Sequence, residues 1–147
     1  MNPDFKDMLS ALSEEGVEFL VVGAYALAAH GIPRATGALD IWVRSSESNA
    51  ERCFSALRRF GAPLGDLTRS DLTAQGTVFQ IGVAPNRIDL LTSIDAVAFD
   101  EAWTSRITVR IEGLDVPVIG REYLLRNKRA TGRPRDLADV ERIEGRD

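Results

Sequence analysis

The chain has 147 residues, of which 44% are hydrophobic and 27% charged, enough to bury the core of one soluble globular domain. No apolar run is long enough to span a bilayer. The start, Met1-Asn2-Pro3-Asp4-Phe5-Lys6, lacks the basic-then-apolar order of a secretory signal, so a cytoplasmic protein is the expectation. A lone cysteine excludes an internal disulfide, and a net charge of −4 excludes a general nucleic-acid coat.

Phe5, Met8, Leu9 and Leu12 recur at helical spacing and predict an amphipathic helix over 3–14, stopped at Glu14-Glu15-Gly16. Val17–Val22 is a β-branched apolar run that reads as a buried strand ending at Gly23. Ala24–His30 is rich in helix formers and closes at Gly31 with Pro33 beyond. Leu39–Val43 alternates as a strand. Leu39, Ile41 and Val43 face one way, and Ala38, Asp40 and Trp42 the other. Ser45 or Ser46 caps a helix over 47–60, with Ala50, Cys53, Phe54 and Leu57 inward. Cys53 in that pattern is a buried structural thiol rather than a nucleophile.

Residues 61–75 read as a loop with a short helix. Thr77–Val83 and Arg87–Thr92 form a hairpin through Ala84-Pro85-Asn86, Phe99–Arg106 a helical turn, and Ile107–Ile111 and Leu114–Ile119 a second hairpin about Glu112-Gly113. Arg121–Arg129 is helical, Thr131-Gly132-Arg133-Pro134 breaks it, and Asp136–Ile143 is the last helix. The chain shows no internal repeat, low-complexity tract or linker. The pattern predicts one α+β domain over 1–147, a mixed β-sheet flanked by helices with C-terminal helices over about 120–143.

Three features carry chemistry. Gly23, between a strand and a helix, is either a tight turn or a place where backbone N–H groups meet a phosphate. Asp40 and Asp89 each sit inside a short apolar strand, where a carboxylate is disfavoured and needs donors, a cation or a metal. Taken singly, each is satisfied by a neighbouring arginine such as Arg34 or Arg87; side by side, they form a hard oxygen site suited to Mg²⁺. Two-ion displacement at phosphorus needs a further bridging carboxylate, and residue 38 shares the face of Asp40. That residue is Ala38.

The charge is also uneven. Residues 120–135 hold six basic side chains against Glu122, a net +5 against −9 for the remainder. The segment is a local anion site or a solvated helix face. His30 suits a helix end near the dipole. Tyr25 lines a base pocket or packs in the core, and Trp42 is a packing element or pocket wall.

The segment Phe19-Leu20-Val21-Val22-Gly23-Ala24-Tyr25 through His30-Gly31, then Pro33-Arg34-Ala35-Thr36-Gly37-Ala38-Leu39-Asp40-Ile41-Trp42-Val43, resembles the polymerase-β-like nucleotidyltransferase superfamily. Within it, the chain is most similar to small bacterial proteins of the AbiEii-type and minimal nucleotidyltransferase branch. That superfamily uses a Gly-Gly or Gly-Ser turn, an Asp-x-Asp strand and a third Asp on a later strand. Gly23 matches the first glycine, and Ala24 departs from the Gly/Ser. Asp40 matches the second Asp, Asp89 in Arg87-Ile88-Asp89-Leu90-Leu91 the third, and Ala38 stands where the first is expected. The tail from Asn127 through Lys128, Arg133 and Arg135-Asp136 to Asp139 also resembles that branch.

The resemblance implies a nucleotidyltransferase-like fold and Mg²⁺ held by Asp40 and Asp89. It implies transfer of a nucleoside monophosphate from a nucleoside triphosphate to a hydroxyl of RNA, such as a tRNA end, or of a protein. Gly23 and Ala24, with Arg34, Lys128 and Arg133, would then bind the nucleotide; otherwise the three cations form surface salt bridges. A toxin–antitoxin pair, with a cognate antitoxin as partner, is the implied setting. Ala38, engineered or natural, leaves the site impaired. The alternative on the same fold is a catalytically inactive module that binds a nucleotide or a partner.

Overall fold

The computed structural model describes residues 1–34 and 36–145. The chain begins with α1 (Pro3–Glu14), where Asn2 caps the helix by accepting from the Asp4 N–H at 2.7 Å and Pro3 fills the first turn. β1 (Phe19–Val22) runs directly into α2 (Gly23–Ala29), and β2 (Ala38–Val43) follows. The strand predicted from Val17 starts two residues later. The Val17 N–H is already bonded to the Leu12 carbonyl, closing α1, and the Glu18 N–H is taken by Asn49 Oδ1.

α3 (Glu47–Phe60) is capped by Ser46 and ended by Gly61 at φ 88°. Its buried Asn49 also donates to the Glu18 and Arg44 carbonyls, pinning the helix to the start of β1 and the end of β2. α4 (Arg69–Thr73) is the short helix expected within 61–75, held by a reciprocal Thr68–Asp71 cap.

β3 (Val78–Ile81) and β4 (Arg87–Leu91) form the first hairpin. After α5 (Phe99–Thr104), β5 (Ile107–Ile111) and β6 (Leu114–Val118) form the second. Its turn residues Glu112 and Gly113 both have positive φ, which matches the right-handed twist of the flanking strands. α6 (Arg121–Thr131) ends at Gly132, φ 66°, and α7 (Pro134–Glu144) follows. Pro134, read from sequence as part of the break, instead opens α7; the first turn needs no proline N–H.

The six strands form one mixed sheet in the order β3-β4-β2-β1-β6-β5. β2 is antiparallel to β1 and parallel to β4, which sets Asp40 beside Val22 on one side and beside Asp89 on the other. This is the predicted α+β architecture, a mixed sheet flanked by helices. A continuous core runs from Phe5 of α1 through Leu39 and Ile41 of β2 to Ile143 of α7. Trp42 is buried edge-on against Phe99, and Tyr25 meets Phe5 edge-on. Among the described residues, no helix is long and apolar enough to cross a membrane.

Candidate functional site

The site grows from the centre of the sheet. Because β2 lies between β1 and β4, its apolar residues are buried, and Asp40 is the half-buried exception. Gly23 follows Val22, the register partner of Asp40. Its φ is 68°, and a Cβ placed there would lie 2.1 Å from Asp40 Oδ2. The glycine is therefore required twice over: by its backbone conformation and by the carboxylate packed against it.

Asp40 and Asp89 are register partners on parallel strands, so the sequence expectation of two neighbouring strand-borne aspartates holds in space. Burial, followed by the charge of Asp89 and a hydrogen bond with it, pushes the Asp40 carboxyl up to about 6; Arg87 and Lys128 oppose this. Asp89 is 7% exposed. Its Oδ1 lies 3.1 Å from Arg87 Nε, yet both atoms are buried without a hydrogen-bond partner. The N–H does not point at the oxygen, so the contact is one of charge alone. Ala38 is buried beside Arg87, its register partner.

Gly23, Ala24, Arg34, Ala38, Asp40, Arg87, Lys128 and Arg133 all line a cavity of about 990 Å³, whereas Asp89 is buried beside Asp40 and is not on its wall. The size suits a drug- or nucleotide-sized ligand. Tyr25 and Trp42 are core packing elements outside its wall. His30 sits at the end of α2, with its Nε2 2.9 Å from the Ile119 carbonyl oxygen. Cys53 is fully buried in α3, and burial pushes its thiol up to about 12, which leaves it inert.

The three expected cations arrive at the cavity from separate parts of the chain, but as members of a network. Arg34 grips Asp139 with both Nη atoms, one of them at 2.8 Å. Lys128 Nζ donates to Asp139 at 3.0 Å and to Asp136 at 3.2 Å. Asp136 also accepts from Arg133 Nε at 2.7 Å and Thr131 Oγ1 at 2.5 Å. Burial alone would raise both carboxyls. The hydrogen bonds outweigh it, from Arg34 and Lys128 on Asp139 and from Thr131, Arg133 and Lys128 on Asp136, and both are held below the usual range.

Lys128 is 6% exposed and Asp139 fully buried, so the Arg34 and Lys128 pairs are not surface salt bridges; the Arg133 side chain is 73% exposed, and its pair with Asp136 is at the surface. Sequence reasoning quoted Asp136 and Asp139 in a tail pattern without giving them a role. Their spacing of three, on the helix that follows Lys128 and the Gly132 break, is the signal that they share a face. The rest of the basic segment is largely compensated. Arg126 pairs with Glu101 and Glu122, and Arg129 with Glu144.

The donor set at the carboxylate pair bears on a divalent ion. Asp40 and Asp89 offer hard oxygens from adjacent strands, one of them buried and without a hydrogen bond. This suits a single hard cation. Ala38 adds no oxygen, and among the described residues no group of three or more potential metal-ligating side chains exists. The residues present therefore fit one ion loosely and do not fit a two-ion centre.

No family model matches the chain, and no curated protein does. Among solved structures, it is similar to a nucleotidyltransferase candidate from Thermotoga maritima, with a TM-score of 0.65 and 15% identity over 97% of this chain and 91% of that one. It is also similar to an antigenic nucleotidyltransferase-like protein from Paracoccidioides brasiliensis, with a TM-score of 0.57 and 14% identity over 95% of this chain and 74% of that one. At these identities the likeness establishes the fold, which is nucleotidyltransferase-like.

Proposed function

We propose that this chain binds a nucleoside triphosphate with one Mg²⁺ and acts as a nucleotidyltransferase impaired at Ala38. The observation that carries the reading is Asp40, on the wall of a nucleotide-sized cavity and directly against Gly23, with its register partner Asp89 buried beside it. Asp40 and Asp89 would hold the ion. When bound, the ion supplies charge neutralisation and polarisation at the phosphorus under attack. Gly23 and Ala24 let the backbone come close to the nucleotide's phosphates.

Arg34, Lys128 and Arg133 outnumber the two carboxylates that hold them, so the network keeps a positive surplus facing the cavity. Asp136 and Asp139 fix those side chains before the ligand arrives, which limits the ordering cost of binding a triphosphate. In the reaction, a hydroxyl oxygen of the acceptor bonds to the α-phosphorus, the bond to the bridging oxygen breaks, and pyrophosphate leaves while the hydroxyl proton passes to solvent or a base. The acceptor is RNA, such as a tRNA end, or a protein, in keeping with an AbiEii-type toxin controlled by a cognate antitoxin.

Ala38→Asp tests this reading. It adds a carboxylate on the face of Asp40 and is expected to create or restore Mg²⁺-dependent labelling of RNA or protein by labelled triphosphates. A variant that folds and labels nothing across cell RNA and protein refutes transfer as the function.

A second reading, a binding module without turnover on the same fold, is favoured by Ala38 and by the contact between Arg87 and Asp89. Calorimetry with the four triphosphates, with and without Mg²⁺, separates the two. Binding that never leads to transfer, even with aspartate at position 38, supports the module.

A further inference from the structure

Ala38 and Asp40 on β2 pair in register with Arg87 and Asp89 on β4. The four positions form a two-by-two patch on one face of the sheet. It carries two carboxylates and one guanidinium, where a two-ion site would carry three carboxylates. The small Ala38 side chain leaves Arg87 no carboxylate beside it on β2, and Asp89 is its partner instead. The fit between them is incomplete. Arg87 Nε is 3.1 Å from Asp89 Oδ1, but each atom lacks a hydrogen bond. The carboxylate is closely buried, whereas the arginine side chain is 39% exposed and lines the cavity. Arg87 is thus held by charge rather than by a directed bond and has room to change partners.

We infer that Arg87 is the resident cation of this patch: it neutralises Asp89 and competes with a divalent ion for it. The inference rests on the reading of Asp40 and Asp89 as metal ligands. With the guanidinium in place, an arriving ion meets one net negative charge and a like-charged neighbour rather than two carboxylates, so binding of the ion alone is weak. A triphosphate gives the guanidinium another partner, because its planar fork matches phosphate oxygens. Asp89 is then released to the ion. Nucleotide and ion therefore strengthen each other's binding, and this coupling is reciprocal.

The test is calorimetric titration with Mn²⁺ alone on the full chain. Arg87→Gln removes the charge and is expected to tighten Mn²⁺ binding at least about tenfold. Arg87→Lys keeps the charge and is expected to bind like the wild type. Unchanged or weaker Mn²⁺ binding by a folded Arg87→Gln overturns the inference. Asp89→Asn in both backgrounds distinguishes the two levels of the reading. If it abolishes Mn²⁺ binding while Arg87→Gln has no effect, the metal site stands and the role of Arg87 falls. If it changes nothing, or if no variant binds Mn²⁺, the metal site falls and the inference with it. Should Arg87→Gln fail to fold, the wild type suffices: the Arg87 Nε–H resonance is expected to shift with the midpoint of Mg²⁺ binding, and an unmoved resonance at saturation overturns the proposal.

Discussion

Asp40→Asn sets a cost of the site against its function. In the folded chain, burial and the charge of Asp89 push the Asp40 carboxyl from its ordinary 3.8 up to about 6. The folded state therefore holds this proton more tightly than the unfolded state does. Protonated Asp40 supports folding at low pH, and that support is lost as pH rises through the window from about 4 to 6. The full difference corresponds to about 3 kcal/mol. Solvent screening of this half-buried carboxylate reduces it to about 1–2 kcal/mol. Asparagine has nearly the shape of the protonated acid and no charge. At pH 7.5, without divalent ions, Asp40→Asn is expected to raise Tm by about 3–6 °C for a chain of this size. The gain should shrink towards zero near pH 4. Mg²⁺ with nucleotide should raise the Tm of the wild type and leave that of the variant unmoved. A gain equal at both pH values, or a variant less stable at pH 7.5, refutes the electrostatic reasoning.

Two further substitutions probe the scaffold of the site. Gly23→Ala places a Cβ on Asp40 Oδ2 and forces alanine to φ 68°. It should cost about 1–2 kcal/mol in urea unfolding, and, because the Asp40 carboxylate must turn away, it should also abolish divalent binding in calorimetry. Stability loss with unchanged ion binding would contradict that geometry. Asp139→Asn leaves Arg34 and Lys128 without their shared buried carboxylate and should cost about 3 kcal/mol. Since Asp139 is held below the usual carboxylate range, its contribution is present at neutral pH and lost as pH falls through its folded value. The gap between variant and wild type in denaturant midpoint should therefore narrow in acid.

Much of the fold was legible in local pattern. The 3.6-residue period of Phe5, Met8, Leu9 and Leu12, the alternation about Asp40 and the Glu112-Gly113 turn each state a backbone preference within a few residues, and the elements formed there. Boundaries moved where a distant group intervened: Asn49 of α3 takes the Glu18 N–H, so β1 starts at Phe19 rather than Val17. Proline 134 was ambiguous for a different reason, since the same missing N–H that breaks a helix interior suits a first turn.

Asp40, Asp89 and Gly23 stood out in sequence because a carboxylate in an apolar strand and a glycine between strand and helix are locally costly or unusual. What the sequence by itself determined was therefore the kind of element each residue occupies and which residues are out of place in it. Only the tertiary structure decided the parallel pairing that sets Asp40 against Asp89, the placement of Arg87 beside Ala38, and the burial of Lys128 and Arg34 on Asp136 and Asp139. These depend on strand order and on contacts between residues up to 105 positions apart. Charge and packing between such distant segments leave no periodicity in the chain, because they exist only once the sheet has chosen its neighbours.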